Sequence, residues 1–215
     1  MLTLYSYWRS SASYRVRIAL ALKGIDYAQE VVSLIDREHR KPDFTAVNPQ
    51  GVVPALRLED GTVLTQSVAI IEYLDEAYAD QAPLLPEDAV LRGRARAFAA
   101  TIACDIHPIQ NVSVLNYLRA EFGQGDDGVK AWCKHWIERG FHALEPVANA
   151  RTSAFIFGDA PGLAEICLIP QVYNGRRFGV DMDSFPALRD VDAACADIEA
   201  FRAAAPEHQP DARRS

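Results

Sequence analysis

The chain has 215 residues, 49% of them hydrophobic, 24% charged and 9% aromatic, with a formal net charge of −7. That length allows one large domain or two small ones with enough apolar material to bury a core, which excludes a disordered chain. With 29 Asp and Glu against 22 Lys and Arg, nothing draws the protein to a polyphosphate or an anionic bilayer, so neither nucleic acid nor membrane is an expected partner. Cys104, Cys133, Cys167 and Cys195 stand far apart, with no CxxC. That spacing argues against a disulfide scaffold and a structural zinc site; no metal is expected, and a reducing compartment fits. No basic segment leads into an apolar stretch at the start, and no run approaches the ~18 apolar residues of a membrane span. A cytoplasmic protein is the expectation.

In chain order, Leu2 to Tyr7 reads as a buried strand and Tyr14 to Lys23 as a helix stopped by Gly24. Tyr27 to Val32 is a second strand. A polar segment and the loop Asn48-Pro49-Gln50-Gly51 lead to a hairpin, Ala55–Leu58 and Thr62–Leu64, with Asp60-Gly61 in its turn. Ser67 to Ala77 is a helix. The order is β-α-β-α-β-β-α. Beyond the proline-punctuated segment 79–86 the pattern is helical alone: Leu91, Ala95, Phe98, Ile102 and Ile106 run to Pro108, then Val129 to Val147, then Leu188, Val191, Cys195, Ile198 and Phe201 as one late stripe. The tail after Pro206 reads as polar and frayed.

Chemistry concentrates in a few places. Trp8-Arg9-Ser10-Ser11-Ala12-Ser13 joins a strand to a helix N-terminus, where hydroxyls, free N–H groups, the dipole and Arg9 can hold an anion; a plain serine N-cap accounts for the same residues. Val53-Pro54 before a strand is a place for a cis peptide, which exposes the Val53 backbone to an extended ligand, or is an ordinary strand entry. Gln66-Ser67 at a helix start can hold a carboxylate or serve as a cap. His107 beside Pro108, and Arg176-Arg177 at a helix end, have bland readings as a capping histidine and a solvated terminus.

Taken together, Ser10-Ser11-x-Ser13-x-Arg15-Val16-Arg17-Ile18-Ala19-Leu20, Asn48-Pro49-Gln50-Gly51-x-Val53-Pro54-Ala55-Leu56 and Leu64-Thr65-Gln66-Ser67-x-Ala69-Ile70-Ile71-Glu72-Tyr73-Leu74 resemble the glutathione transferase superfamily, zeta class. Residues 104–115, 170–178 and Gln209-Pro210-Asp211 also have counterparts there, so the resemblance spans nearly the whole chain. It implies a thioredoxin-like N-terminal domain (βαβαββα, residues 1–80), a linker (81–89) and an all-helical substrate-binding domain (90–215), in a homodimer with glutathione as cofactor. It implies that Ser11 hydrogen-bonds the glutathione sulfur with Ser10 and Arg9 beside it, and that Gln50, Val53 and Pro54 bind the cysteinyl and glycyl parts. Gln66 and Ser67 would hold the γ-glutamyl end, His107 and Asn111 would reach glutathione from the helical domain, and Arg9, Arg177 and Arg176 would receive a small anionic maleyl substrate.

The implied activity is cis–trans isomerisation of maleylacetoacetate to fumarylacetoacetate by reversible thiolate addition. Maleylpyruvate is the alternative substrate; a broad conjugating transferase and a non-catalytic glutathione-binding module are further alternatives. Gln110-Asn111-Val112-Ser113-Val114-Leu115 leans to maleylacetoacetate, whereas His107, Ala12 and Arg176-Arg177 lean to maleylpyruvate. Two departures from the family pattern stand out. Ala12 replaces the cysteine of a Ser-Ser-Cys motif, which leaves the hydroxyls and helix terminus in place. Gly162 and Glu165 replace a Ser/Thr–Asp capping box, with an expected stability loss of a few tenths of a kcal/mol.

Overall fold

The computed structural model describes residues 1–212, and the chain divides into two compact units: residues 1–84 with the segment after Ala196, and Leu85–Ala196. In the first, β1 (Leu2–Ser6), β2 (Tyr27–Val31), β3 (Ala55–Arg57) and β4 (Val63–Thr65) form one sheet in the order β2-β1-β3-β4. β1 and β2 are parallel, and the other two pairings are antiparallel. The hairpin at Asp60-Gly61 sets the β3–β4 register, with Leu56 opposite both Leu4 and Leu64.

Helix α1 (Ser11–Leu22) begins three residues earlier than periodicity indicates, because Ser10 is its N-cap and accepts the Ser13 N–H at 3.2 Å. It ends where Gly24 takes φ +63°. Val16, Ile18 and Leu20 of α1, Leu4 and Leu56 of the sheet, and Ile70 and Leu74 of α3 (Ser67–Ala77) are completely buried and form the core of this unit. The polar segment before the hairpin contains a 3-10 turn, Glu38–Arg40, and one α-helical turn, α2 (Pro42–Thr45).

The second unit is helical: α4 (Ala89–Ala100), α5 (Val112–Phe122), α6 (Asp126–Asn149), α7 (Leu163–Arg177) and α8 (Pro186–Ala196). The stripe expected to run unbroken to Pro108 changes character after Ala100. Thr101–Ile106 form a π-helical turn, in which His107 N–H bonds the Ile102 carbonyl at 2.9 Å, five residues back. Gly140 of α6 makes room for Ile106, since a Cβ there would fall on the isoleucine side chain. At the start of α7, Glu165 carries the capping interaction alone, accepting the N–H groups of Gly162 (2.9 Å) and Ile156 (2.8 Å).

The late stripe is two helices rather than one. Leu188, Val191 and Cys195 of α8 are buried in the helical unit, whereas extended Ile198 redirects the chain, and α9 (Glu199–Ala204) buries Phe201 in the first unit. There Tyr14 Oη donates to the Phe201 carbonyl (3.4 Å), and Arg17 Nε to that of Ala204 (3.0 Å). The tail is likewise not frayed as far as it is described. Gln209 Nε2 donates to the Ala203 and Ala205 carbonyls, and Asp211 accepts the Trp8 N–H. The last part of the expected loose tail, 213–215, lies outside the described residues. No helix among the described residues is long and apolar enough to cross a membrane.

Candidate active site

Strand register assembles the first-unit site residues. Ala55 sits opposite Tyr5 on one side and Thr65 on the other. That row lines up three chain segments at one end of the sheet: the turn from β1 into α1, Val53-Pro54 entering β3, and Gln66-Ser67 leaving β4. Residues more than fifty positions apart in sequence thus share one edge because two antiparallel pairings place them there.

At the first segment the structure separates the two serines. Ser10 Oγ is committed to the cap. Ser11 opens the helix, and among the described residues no partner engages its hydroxyl or the N–H groups of Ser11 and Ala12. One hydroxyl and two backbone N–H groups, at the positive end of a twelve-residue helix, form a donor set suited to a thiolate or carboxylate. Arg9 lies over the Trp8 ring, its guanidinium carbon 5.1 Å from the centroid.

At the second segment the Val53–Pro54 peptide is cis, as the motif indicates. The preceding loop is fixed by Asn48, which is buried: its Nδ2 donates to the Val52 carbonyl at 2.7 Å and its Oδ1 accepts the Gln50 N–H at 3.2 Å. Gly51 completes the turn at φ +61°, with the His39 carbonyl only 2.8 Å from where a Cβ would stand. Gln50 is thereby held outward, and its Oε1 accepts from Gln66 Nε2 at 2.9 Å.

At the third segment Gln66 has φ +69° and ψ 114°, a backbone state that costs a non-glycine residue about 1–3 kcal/mol and occurs where surrounding structure imposes it. Ser67, at the first position of α3, is buried, and its Oγ accepts from Arg15 Nη1 at 3.3 Å. The hydroxyl keeps its own proton to donate, beside the free N–H groups of α3.

Several contributors escape a sequence reading. Arg15 and Arg17 are each 1% exposed; the signal for them is two charges in the stretch of α1 that after Ser13 is otherwise aromatic or aliphatic. Arg17 stays cationic at neutral pH although burial lowers its pKa to about 10, partly offset by Tyr27, Tyr14 and Asp211. The strained backbone of Gln66 has no signature in residue type.

In the helical unit, His107 follows the π-turn, and Asn111 occupies the N-cap position of α5 without a side-chain cap bond. Gln110 is buried and serves structure: its Oε1 accepts from Asn174 Nδ2 (2.7 Å), and its Nε2 donates to the Ile106 carbonyl. Trp132 Nε1 holds the Ile109 carbonyl at 2.8 Å. Arg176 pairs with Asp192 at 2.6 Å, which ties the end of α7 to α8. Arg177 is exposed, with its guanidinium carbon 5.0 Å from the Phe178 ring centroid. Cys133, Cys167 and Cys195 are buried free thiols; burial pushes Cys133 up to about 11 and raises Cys195 as well, so both stay protonated at neutral pH.

Residues 9–77 match the family model described as glutathione S-transferase, N-terminal domain. A maleylacetoacetate isomerase of Pseudomonas aeruginosa is 50% identical over 210 residues, covering 97% of each chain. The solved holo structure of a maleylpyruvate isomerase, described as a bacterial zeta-class glutathione transferase, superimposes with a TM-score of 0.95 at 49% identity and covers 98% of this chain and all of that one. The chain belongs to the zeta class of the glutathione S-transferase family. A further zeta-like structure, a maleylacetoacetate isomerase from Methylobacterium extorquens AM1 with bound malonate and glutathione, has a TM-score of 0.94 at 37% identity, covering 99% of this chain and 100% of that one. The βαβαββα first unit and the helical second unit are those of this family.

Proposed function

We propose that this zeta-class protein is a glutathione-dependent cis–trans isomerase of small maleyl carboxylates, converting maleylacetoacetate to fumarylacetoacetate. The observation that carries the reading is the division of labour at α1: Ser10 is spent on the cap, so the Ser11 hydroxyl and two leading N–H groups are left to an anion, beside cis-Pro54 and the Gln66-Ser67 terminus. This donor set fits the tripeptide. Gln66 and Ser67 suit its γ-glutamyl carboxylate, the Val53 backbone its peptide groups, and Ser11 its sulfur.

When bound, glutathione would supply a thiolate that adds to the substrate double bond, making it a single bond free to turn, and then leaves to restore the double bond as trans. Ser11 lowers the thiol's pKa from about 8.5 by donating to the charged form, and each unit of lowering is worth about 1.4 kcal/mol. Arg9, two residues before Ser11 in the chain, would offer a cation to hold a substrate carboxylate or the oxygen on which charge develops. Arg177 offers a second guanidinium for the substrate. The malonate that accompanies glutathione in the Methylobacterium protein is a small dicarboxylate, which supports an anionic substrate for this chain as well. The proposal includes a cytoplasmic homodimer.

Maleylpyruvate is retained as the second substrate, on the 49% identity to a maleylpyruvate isomerase and on His107 and Ala12. Gln110, a residue of the segment that favours maleylacetoacetate, is engaged in packing and therefore adds nothing to that choice. The test is absorbance-monitored turnover of both compounds with and without glutathione, comparing kcat/KM. Consumption of glutathione without isomerisation of either would select a conjugating transferase, and retention on glutathione resin with no turnover a binding module.

A further inference from the structure

The Gln209-Pro210-Asp211 motif is given no part in the glutathione or substrate reading above, yet the structure brings it to the chain immediately ahead of Arg9. The peptide between Tyr7 and Trp8 is held at both ends. Its carbonyl accepts the Ser10 N–H (3.0 Å) and Arg17 Nη1 (3.4 Å), and its N–H donates to Asp211 Oδ2 (2.9 Å). The next carbonyl, that of Trp8, accepts Arg17 Nη2 at 2.9 Å. The same guanidinium reaches Ser6 Oγ (3.1 Å) and, through Nε, the last carbonyl of α9 (3.0 Å). Gln209 locks the turn that follows α9 through two bonds of 3.0 Å, and Ala212 packs on the cluster of Tyr5, Tyr7, Trp8, Phe44 and Val53. One residue, Arg9, separates this clamp from the capping Ser10, and Arg9 itself rests on the clamped Trp8.

We propose that the C-terminal segment from Asp197 to Ala212 is a positioning element of the thiolate site, with Asp211 and Arg17 as positioning residues that fix the Tyr7–Arg9 backbone and so aim Arg9 and the Ser11 terminus at the sulfur. The proposal rests on the cradle reading given above. Neither residue is assigned to glutathione or substrate; Asp211 acts through a main-chain group 203 positions away in sequence and Arg17 through groups 9 and 10 positions away. Oriented donors lose effect steeply when displaced, so loosening the turn weakens catalysis without emptying the site. A positioning role also predicts a sign. Deleting the Asp211 charge, by electrostatics alone, lowers the pKa of a nearby thiol, whereas misaligning the Ser11 donors raises it.

The test uses the full chain with Asp211→Ala, Asp211→Asn, Gln209→Ala and Ser11→Ala, reading the pKa of bound glutathione from thiolate absorbance, with kcat, KM and the thermal midpoint alongside. Asp211→Ala is expected to lower kcat about tenfold and raise the thiol pKa. Asp211→Asn, which keeps an acceptor oxygen but no charge, restores both. Gln209→Ala moves both readouts in the direction of Asp211→Ala and decides the matter if Asp211→Ala does not fold. The proposal is overturned if folded Asp211→Ala keeps kcat and thiol pKa, if the pKa falls, if Asp211→Asn is as impaired as Asp211→Ala, or, where Gln209→Ala must decide, if that variant matches wild type. If Ser11→Ala leaves the thiol pKa unchanged, the cradle reading falls and this inference with it; if only the tail variants are silent, the inference falls alone.

Discussion

The two serines at the start of α1 offer a double dissociation. Ser10→Ala removes the cap acceptor that meets the Ser13 N–H at 3.2 Å, which costs about 1 kcal/mol of stability, or about 2–4 °C in thermal midpoint for a chain of this size. Its effect on the bound thiol is expected to be small, because the Ser11 donor remains. Ser11→Ala removes no hydrogen bond seen within the chain, so its stability change stays within about 0.5 kcal/mol. It deletes instead a donor to a charged acceptor, about 1.5–3 kcal/mol, which corresponds to a rise of about one to two units in the glutathione thiol pKa. At a pH below that pKa the thiolate population, and the rate it supports, falls about ten- to a hundredfold. Thiolate absorbance across a pH series on the binary complex, together with a thermal melt of each variant, reads both quantities. A larger pKa rise in Ser10→Ala than in Ser11→Ala, or an unchanged thiol in Ser11→Ala, would refute the assignment of Ser11 to the sulfur.

Three further outcomes follow from other parts of the chain. Arg177→Ala is expected to reduce kcat/KM about tenfold or more, the worth of a charged hydrogen bond, with glutathione affinity unchanged by calorimetry; Arg176→Ala, whose partner is Asp192, should stay within about threefold. Gly51→Ala forces a side chain into φ +61° against the His39 carbonyl, which costs about 1–2 kcal/mol from the backbone alone and weakens glutathione binding by displacing Gln50. Glu165 supplies a pH signature. Burial raises its carboxyl above the ordinary 4.5, against the lowering effect of the Gly162 and Ile156 N–H groups. Its contribution is therefore complete below that ordinary value and is lost as the pH rises through the folded one. Wild type should lose ground to Glu165→Gln in urea midpoint as the pH rises above the ordinary carboxyl value of 4.5, and parallel pH profiles would count against the burial argument.

How much of this was open to reading without coordinates depends on the range of the interaction. Local rules carried α1, the Asp60-Gly61 hairpin and α3, because caps, turn residues and periodicity act over three or four positions. They also marked Val53-Pro54 and Gln66-Ser67 as one constellation, though not the register that joins them. The same rules misread the late stripe: Leu188 to Phe201 keeps a helical period through the break at Ile198, and periodicity is blind to which core each half enters. The π-turn at Thr101–Ile106 was hidden for a related reason, since five-residue backbone bonds there depend on Gly140 of another helix leaving space for Ile106.

By itself the sequence carried the resemblance that implies the class of chemistry; its hydroxyl-rich helix terminus, Val-Pro strand entry and Gln-Ser terminus are short-range patterns, each with an ordinary structural reading of its own. Only the tertiary structure decided that Ser10 and not Ser11 is spent on the cap, that Arg15 and Arg17 are buried fasteners, that Arg176 pairs with Asp192, and that the chain returns after 203 residues to hold the Trp8 backbone. Each of those outcomes turns on which donor meets which acceptor across the fold, and pairing at that range is set by packing rather than by neighbours in sequence.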